Sequence, residues 1–155
     1  MNTKIEVTRV EGLRFAAMIR GHVMMMDQPA SNGGTDTAPT PMELLSVALG
    51  GCVALYVHQF CAARGIDDDE LRVAVVADTA QQPYRVDSFR IILALPEGMP
   101  AQYRDAIERV IRSCPVHNTL AHPPRVELAL GPSAPAPETR SQLLPYTARA
   151  VPERR

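Results

Sequence analysis

Residues 40–64, TPMELLSVALGGCVALYVHQFCAAR, decide the fold. Thr40 suits an N-cap, Pro41 suits a first helical position because it has no N–H to lose there, and Glu43 completes a Thr-x-x-Glu capping box. Arg64 and Gly65 supply the stop, a cation for the last turn and a residue at ease in the left-handed region. Polar residues between these signals are too few for an amphipathic surface helix. The stretch therefore predicts a central helix with most of its circumference covered by protein. Cys52 stands at its middle.

Upstream, residues 4–10 (KIEVTRV) alternate polar and apolar, and LRFAAMIR leads through Gly21 into HVMMMD, which predicts an antiparallel meander of two or three strands. Met24, Met25 and Met26 offer soft ligands for a metal, but a strand with its side chains in a core is the expected reading. QPASNGGTDTAP, residues 28–39, is turn-rich and predicts an exposed loop feeding the helix.

Downstream of an acidic connection, LRVAVVADTA and SFRIILALP predict a β-hairpin joined through QQPYRVD. In AQYRDAIERVIRS, residues 101–113, Tyr103, Ala106, Ile107, Val110 and Ile111 recur at three and four, which predicts a second, amphipathic helix. It ends at Cys114, since a residue before proline leaves helical geometry. VHNTL has the length of one further turn, and PPRVELAL predicts a last strand. Separated strand runs and helices point to an α+β fold. Residues 1–130 are expected to form the folded domain, and residues 131–155 a proline-rich tail.

The balance of 16 basic and 17 acidic residues leaves no footprint for nucleic acid or an anionic membrane. The longest apolar run, about 14 residues from Leu44 to Val57 with Gly50-Gly51 inside it, is shorter than the roughly 20 a bilayer requires. The N-terminus carries no apolar signal core, so a cytoplasmic location is expected. Cys52, Cys61 and Cys114 are too few and too widely spaced for a disulfide framework, which leaves thiol chemistry or burial. No cofactor is expected.

The blocks GGTDTAPTPMELLSVALGGC and SCPVHNTL, with the strand order around them, resemble the OsmC/Ohr family of osmotically induced and organic hydroperoxide resistance proteins, over roughly residues 5–130. The resemblance implies an intertwined homodimer in which the antiparallel sheet of one chain wraps the helices of the other. It implies that Cys52 is the peroxidatic thiolate, oxidised by a hydroperoxide to a sulfenic acid, and that Cys114 resolves it as a disulfide for a dithiol or small-thiol reductant. A thiol buried at mid-helix needs a cation to ionise, and the family supplies an arginine held by a glutamate.

In the peroxidase branches the glutamate directly follows the helix-start proline; here that position is Met42. Glu43 stands nine residues before Cys52, on the opposite helix face at about 100° per residue, which assigns it to the capping box. The loop 28–39 contains no arginine, so Arg20 is the nearest match and Arg14 the second. Arg20 also reads as a solvated strand residue. His117, with Cys52 and Cys114, makes three ligands of a kind zinc accepts, with His22 or His122 as the remaining choices, against a plain backbone-bonding turn residue. Cys61 faces away from Cys52, and His58 beside it reads as packing.

The expected activity is a thiol-dependent peroxidase acting on organic or small hydroperoxides. Met42, Leu45, Leu49, Leu55 and Tyr56 surround Cys52 by helical spacing and favour an alkyl hydroperoxide. The alternative is a weakly active branch that binds small molecules or senses redox state, and a zinc domain is a third reading.

Overall fold

The computed structural model describes residues 4–95 and 99–131. The described residues divide into two compact units, one of residues 4–41 with 128–131, the other within Met42–Glu127. The expected tail beyond Gly131 lies outside the described residues.

In the first unit, Glu6–Glu11 (β1), Arg14–Ile19 (β2) and His22–Met26 (β3) form an antiparallel three-stranded sheet in chain order. Arg20 and Gly21 are the two central residues of the β2–β3 turn, with φ of 51° and 85°. Positive φ at both positions matches the right-handed twist of a hairpin. The meander therefore has three strands. Met26 lines an apolar cavity with Val7, Leu13 and Phe15, whereas Met24 is exposed.

The loop after β3 is built on Asp27, which is 1 % exposed. Its carboxylate accepts the N–H of Gln28 (2.8 Å) and both the N–H and hydroxyl of Thr35 (3.2 and 2.6 Å) and of Thr37 (3.0 and 2.9 Å). The Asp27 N–H donates to the Pro39 carbonyl (3.2 Å), closing the loop just before the helix. Burial alone pushes this carboxyl up, but the donors win and hold it well below the usual carboxylate range.

The central helix (α1) spans Pro41–Ala62, with Pro41 at its first position as the start signal requires. At its end Gly65 takes φ 63°. Its N–H reaches the Ala62 carbonyl (3.3 Å), and the Ile66 N–H reaches that of Cys61 (3.0 Å), the paired bonds of a Schellman stop.

Arg72–Gln81 (β4) and Tyr84–Ala94 (β5) pair antiparallel. The predicted seven-residue connection QQPYRVD shrinks to Gln82-Pro83, because Tyr84 and Val86 already pair with Gln81 and Thr79. A single helical turn, Ala101–Tyr103, precedes Arg104–Arg112 (α2), and Pro115–Ala121 (α3) follows. Leu49, Val53, Val57, Phe60 and Cys61 of α1 make the core with Ile107 and Cys114, covered by Val73, Val75, Phe89, Ile91 and Leu93 of the hairpin. Gly50 permits the approach of β4, since a Cβ there would lie 3.1 Å from the Val75 side chain. Arg64 lies 3.7 Å over the Phe60 ring, and Phe60 meets Tyr103 edge-on at 5.6 Å.

Three expectations are corrected. PPRVELAL is not a strand in this chain: residues 123–130 pair with nothing regular, and Val126, Leu128 and Leu130 are 89 %, 86 % and 92 % exposed. A strand needs an edge to pair with, which the alternation of residues does not create. VHNTL is part of a two-turn helix, because Pro115 suits a first helical position. Finally, α1 is covered on one face alone; Leu45, Val47 and Leu55 are exposed. Taken whole, α1 is also long and apolar enough to cross a bilayer (22 residues, mean hydropathy 1.6 in its most apolar window). The count of the longest run missed this, because α1 extends past both ends of that run. A core helix passes the same test, and α1 packs as one along its Leu49–Cys61 face.

Candidate functional site

Cys52 lies on α1 at the border between its covered and open faces. Leu49 and Val53 on one side are buried, Gly51 and Leu55 on the other are exposed, and Cys52 itself is half-buried. Cys114 is brought to it by the junction of α2 and α3. The Cys114 N–H donates to the Ile111 carbonyl (3.1 Å), closing α2, and Cys114 then turns extended (φ −60°, ψ 126°) as N-cap of α3. Its sulfur accepts the His117 N–H at 3.5 Å.

The two thiols are free, and both Cys114 and the Val116 N–H stand near enough to Cys52 to shift its titration. Pro115 has no N–H, so Val116 and His117 provide the first donors of α3, groups without intrahelical acceptors. The Cys114 sulfur takes the second of them. Burial pushes the Cys52 thiol up, Cys114 adds to it, and the Val116 N–H opposes. These surroundings favour the protonated Cys52 over the reactive thiolate.

Arg20 occupies the β2–β3 turn, exposed, in the unit that does not contain Cys52. Arg14 is half-buried at the start of β2, opposite Glu11. Met42 is half-buried and Glu43 exposed in the first turn of α1. Cys61 is fully buried and its thiol is pushed up by burial and the nearby Asp68 carboxylate, with Arg64 opposing. His58 turns its Nδ1 to Asp68 (2.9 Å), so the His58 ring ties α1 to the acidic connection. His22 and His122 are exposed. Among the described residues no group of three or more His, Cys, Asp or Glu side chains is placed to hold a metal ion.

Two structural features escaped the sequence reading. The Val116 N–H is backbone and carries no residue signature, although Cys114-Pro115 as N-cap and first helical position could have revealed it. Asp27 could have been found from Thr35-x-Thr37 beyond a glycine-rich turn, a pattern with the donors to enclose a carboxylate.

The family model described as OsmC-like protein matches residues 34–129. The chain belongs to the OsmC family. No curated protein matches it. Among solved structures, this OsmC-family chain is similar to a protein of Psychrobacter arcticus 273-4 whose name ties it to osmotic stress induction and detoxification. That match has TM-score 0.70 and 22 % identity, covering 77 % of this chain and 88 % of that one. It is similar to an OsmC-like protein of Mycoplasma pneumoniae (TM-score 0.67, 17 % identity, 78 % and 88 % covered). An organic hydroperoxide resistance protein OsmC from Legionella pneumophila also matches (TM-score 0.55, 15 % identity, 77 % and 89 % covered). At these identities the structures establish the fold: an α+β OsmC-like fold with antiparallel sheets and three helices.

Proposed function

We propose that this OsmC-family chain is a cytoplasmic, homodimeric, thiol-dependent peroxidase that reduces organic hydroperoxides with no bound cofactor. The observation that carries the reading is the pair of free thiols, Cys52 on α1 and Cys114 at the N-cap of α3, near enough for Cys114 to shift the Cys52 thiol. The Cys52 thiolate attacks the peroxide, an S–O bond forms as the O–O bond breaks, and the alkoxide leaves as the alcohol after taking a proton. Cys52 is thereby oxidised by two electrons to a sulfenic acid. The Cys114 sulfur then displaces the hydroxyl as water and closes a disulfide, and a dithiol or small thiol reopens it by exchange.

Met42, Leu45, Leu49, Leu55 and Tyr56 around Cys52 suit an alkyl substituent on the substrate better than hydrogen peroxide. Because burial holds the Cys52 thiol up, ionisation needs a cation, and Arg20, with Arg14 second, is assigned that role. The homodimer, with sheets wrapping helices, is supported by the open apolar side of α1 and by the bare Val126, Leu128 and Leu130, which a partner's sheet edge would cover.

The raised Cys52 pKa and Met42 at the glutamate position favour a second reading, a weakly active branch serving as a small-molecule binder or redox sensor. Turnover of cumene hydroperoxide with a dithiol present separates the two. The peroxidase reading expects steady consumption that Cys52→Ser abolishes, and turnover unchanged by Cys52→Ser removes this cysteine from the mechanism.

A further inference from the structure

His117 is the third residue of α3, counting Pro115 as the first, and Cα–Cβ bonds in a helix tilt toward its N-terminus. A side chain at this position turns back toward the N-cap, where a Glu or Gln would pair with the N-cap backbone N–H. Here that donor is spent, because the Cys114 N–H is held by the Ile111 carbonyl (3.1 Å). The His117 Nδ1 is buried with no hydrogen-bond partner among the described residues. Leaving a buried nitrogen unpaired is costly and calls for an explanation. This nitrogen belongs to the residue whose own N–H contacts the Cys114 sulfur.

We propose that His117 is the acid–base group of disulfide closure, an inference that rests on the peroxidase reading for its first step. The Nδ1 lone pair takes the proton of the Cys114 thiol, by a side-chain rotation or through one water, as that sulfur attacks the Cys52 sulfenic acid. The S–S bond forms, the S–O bond breaks, and the imidazolium returns the proton to the departing hydroxide, which leaves as water. His117 ends neutral, Cys114 is oxidised, and no further reactant is needed. The role differs from that of the zinc ligand considered above, since it uses Nδ1 as a proton carrier and no metal.

The test is a single turnover of the full-length reduced protein with one equivalent of cumene hydroperoxide, in wild type, His117→Asn and His117→Ala. Dimedone trapping reports Cys52 sulfenic acid, and non-reducing peptide mapping reports the disulfide. In both variants Cys52 should oxidise at the wild-type rate while closure slows about 100-fold, the usual scale of acid–base catalysis. Trapped sulfenic acid should rise in step, and added imidazole should restore closure in His117→Ala. Closure within about twofold of wild type, or slowed closure that imidazole leaves slow, overturns the proposal.

Should either variant fail to fold, closure of the wild type in D2O decides: a slower rate supports proton transfer, and an indifferent rate refutes it. A second oxidant, diamide, separates this inference from its foundation. It adds to Cys52 and departs as a hydrazine when Cys114 attacks, so closure occurs without peroxide chemistry. Peroxide-inert thiols with His117-dependent closure by diamide would leave the role of His117 standing and remove the peroxidase reading.

Discussion

Asp27 is nearly fully buried and still ionised, because five donors converge on its carboxylate. Its folded pKa lies below the unfolded value of about 3.9, so its contribution is complete above that value and lost as pH falls below it. Thermal unfolding from pH 7 to pH 3 should therefore show stability falling once pH drops under about 4–5, with the fall reduced in Asp27→Asn. That variant should lose about 2 kcal/mol or more at pH 7, since an amide nitrogen would face N–H and hydroxyl donors. An Asp27→Asn protein as stable as wild type at pH 7 would remove the carboxylate from the account. Periodicity does not point to Asp27, because its partners lie eight and ten residues away across a turn, and Thr35-x-Thr37 is the one local hint. Cys52 and Cys114 stand out in the sequence as Gly-Gly-Cys in an apolar helix and Cys-Pro after an amphipathic one, but their pairing was suggested by the resemblance to the OsmC/Ohr family and not by spacing.

At the scale of elements, α1 was readable at both ends because its caps are local chemistry. Its stop depends on Gly65 at φ 63°, where a side chain is strained even though space is open. Gly65→Ala should cost about 1 kcal/mol, and Gly65→Asn less. Chemical denaturation of both variants checks this, and equal stability of Gly65→Ala and wild type would contradict the Schellman stop. The side of α1 left open was misread, since apolar composition reports a preference for burial without saying what supplies the cover. The missing last strand has the same cause. Val126, Leu128 and Leu130 alternate as strand residues do, but pairing is decided by an edge that this chain does not bring to them.

At the scale of the molecule these two departures coincide: an open apolar helix face and a bare alternating segment both wait for a surface. The homodimer proposed above accounts for both at once. Sedimentation or light scattering should give twice the chain mass of 16.9 kDa, and Leu55→Asp, a charge placed on the open face of α1, should shift the equilibrium toward monomer. A wild-type protein that stays monomeric at high micromolar concentration would contradict the dimer and leave the exposed residues without an account. The dimer also bears on activation. The groups that shift the Cys52 thiol are Cys114 and the Val116 N–H, and the peroxidase proposed above needs a cation beside them.

The account stands on Cys52 and Cys114 acting as one redox pair. Its most direct test is non-reducing peptide mapping by mass spectrometry after the reduced protein meets one equivalent of cumene hydroperoxide. The account predicts a Cys52–Cys114 disulfide, formed with loss of the peroxide, with Cys61 left as a free thiol in the core. Peroxide left unspent with all three thiols free, or a disulfide that involves Cys61 in place of Cys114, would contradict it.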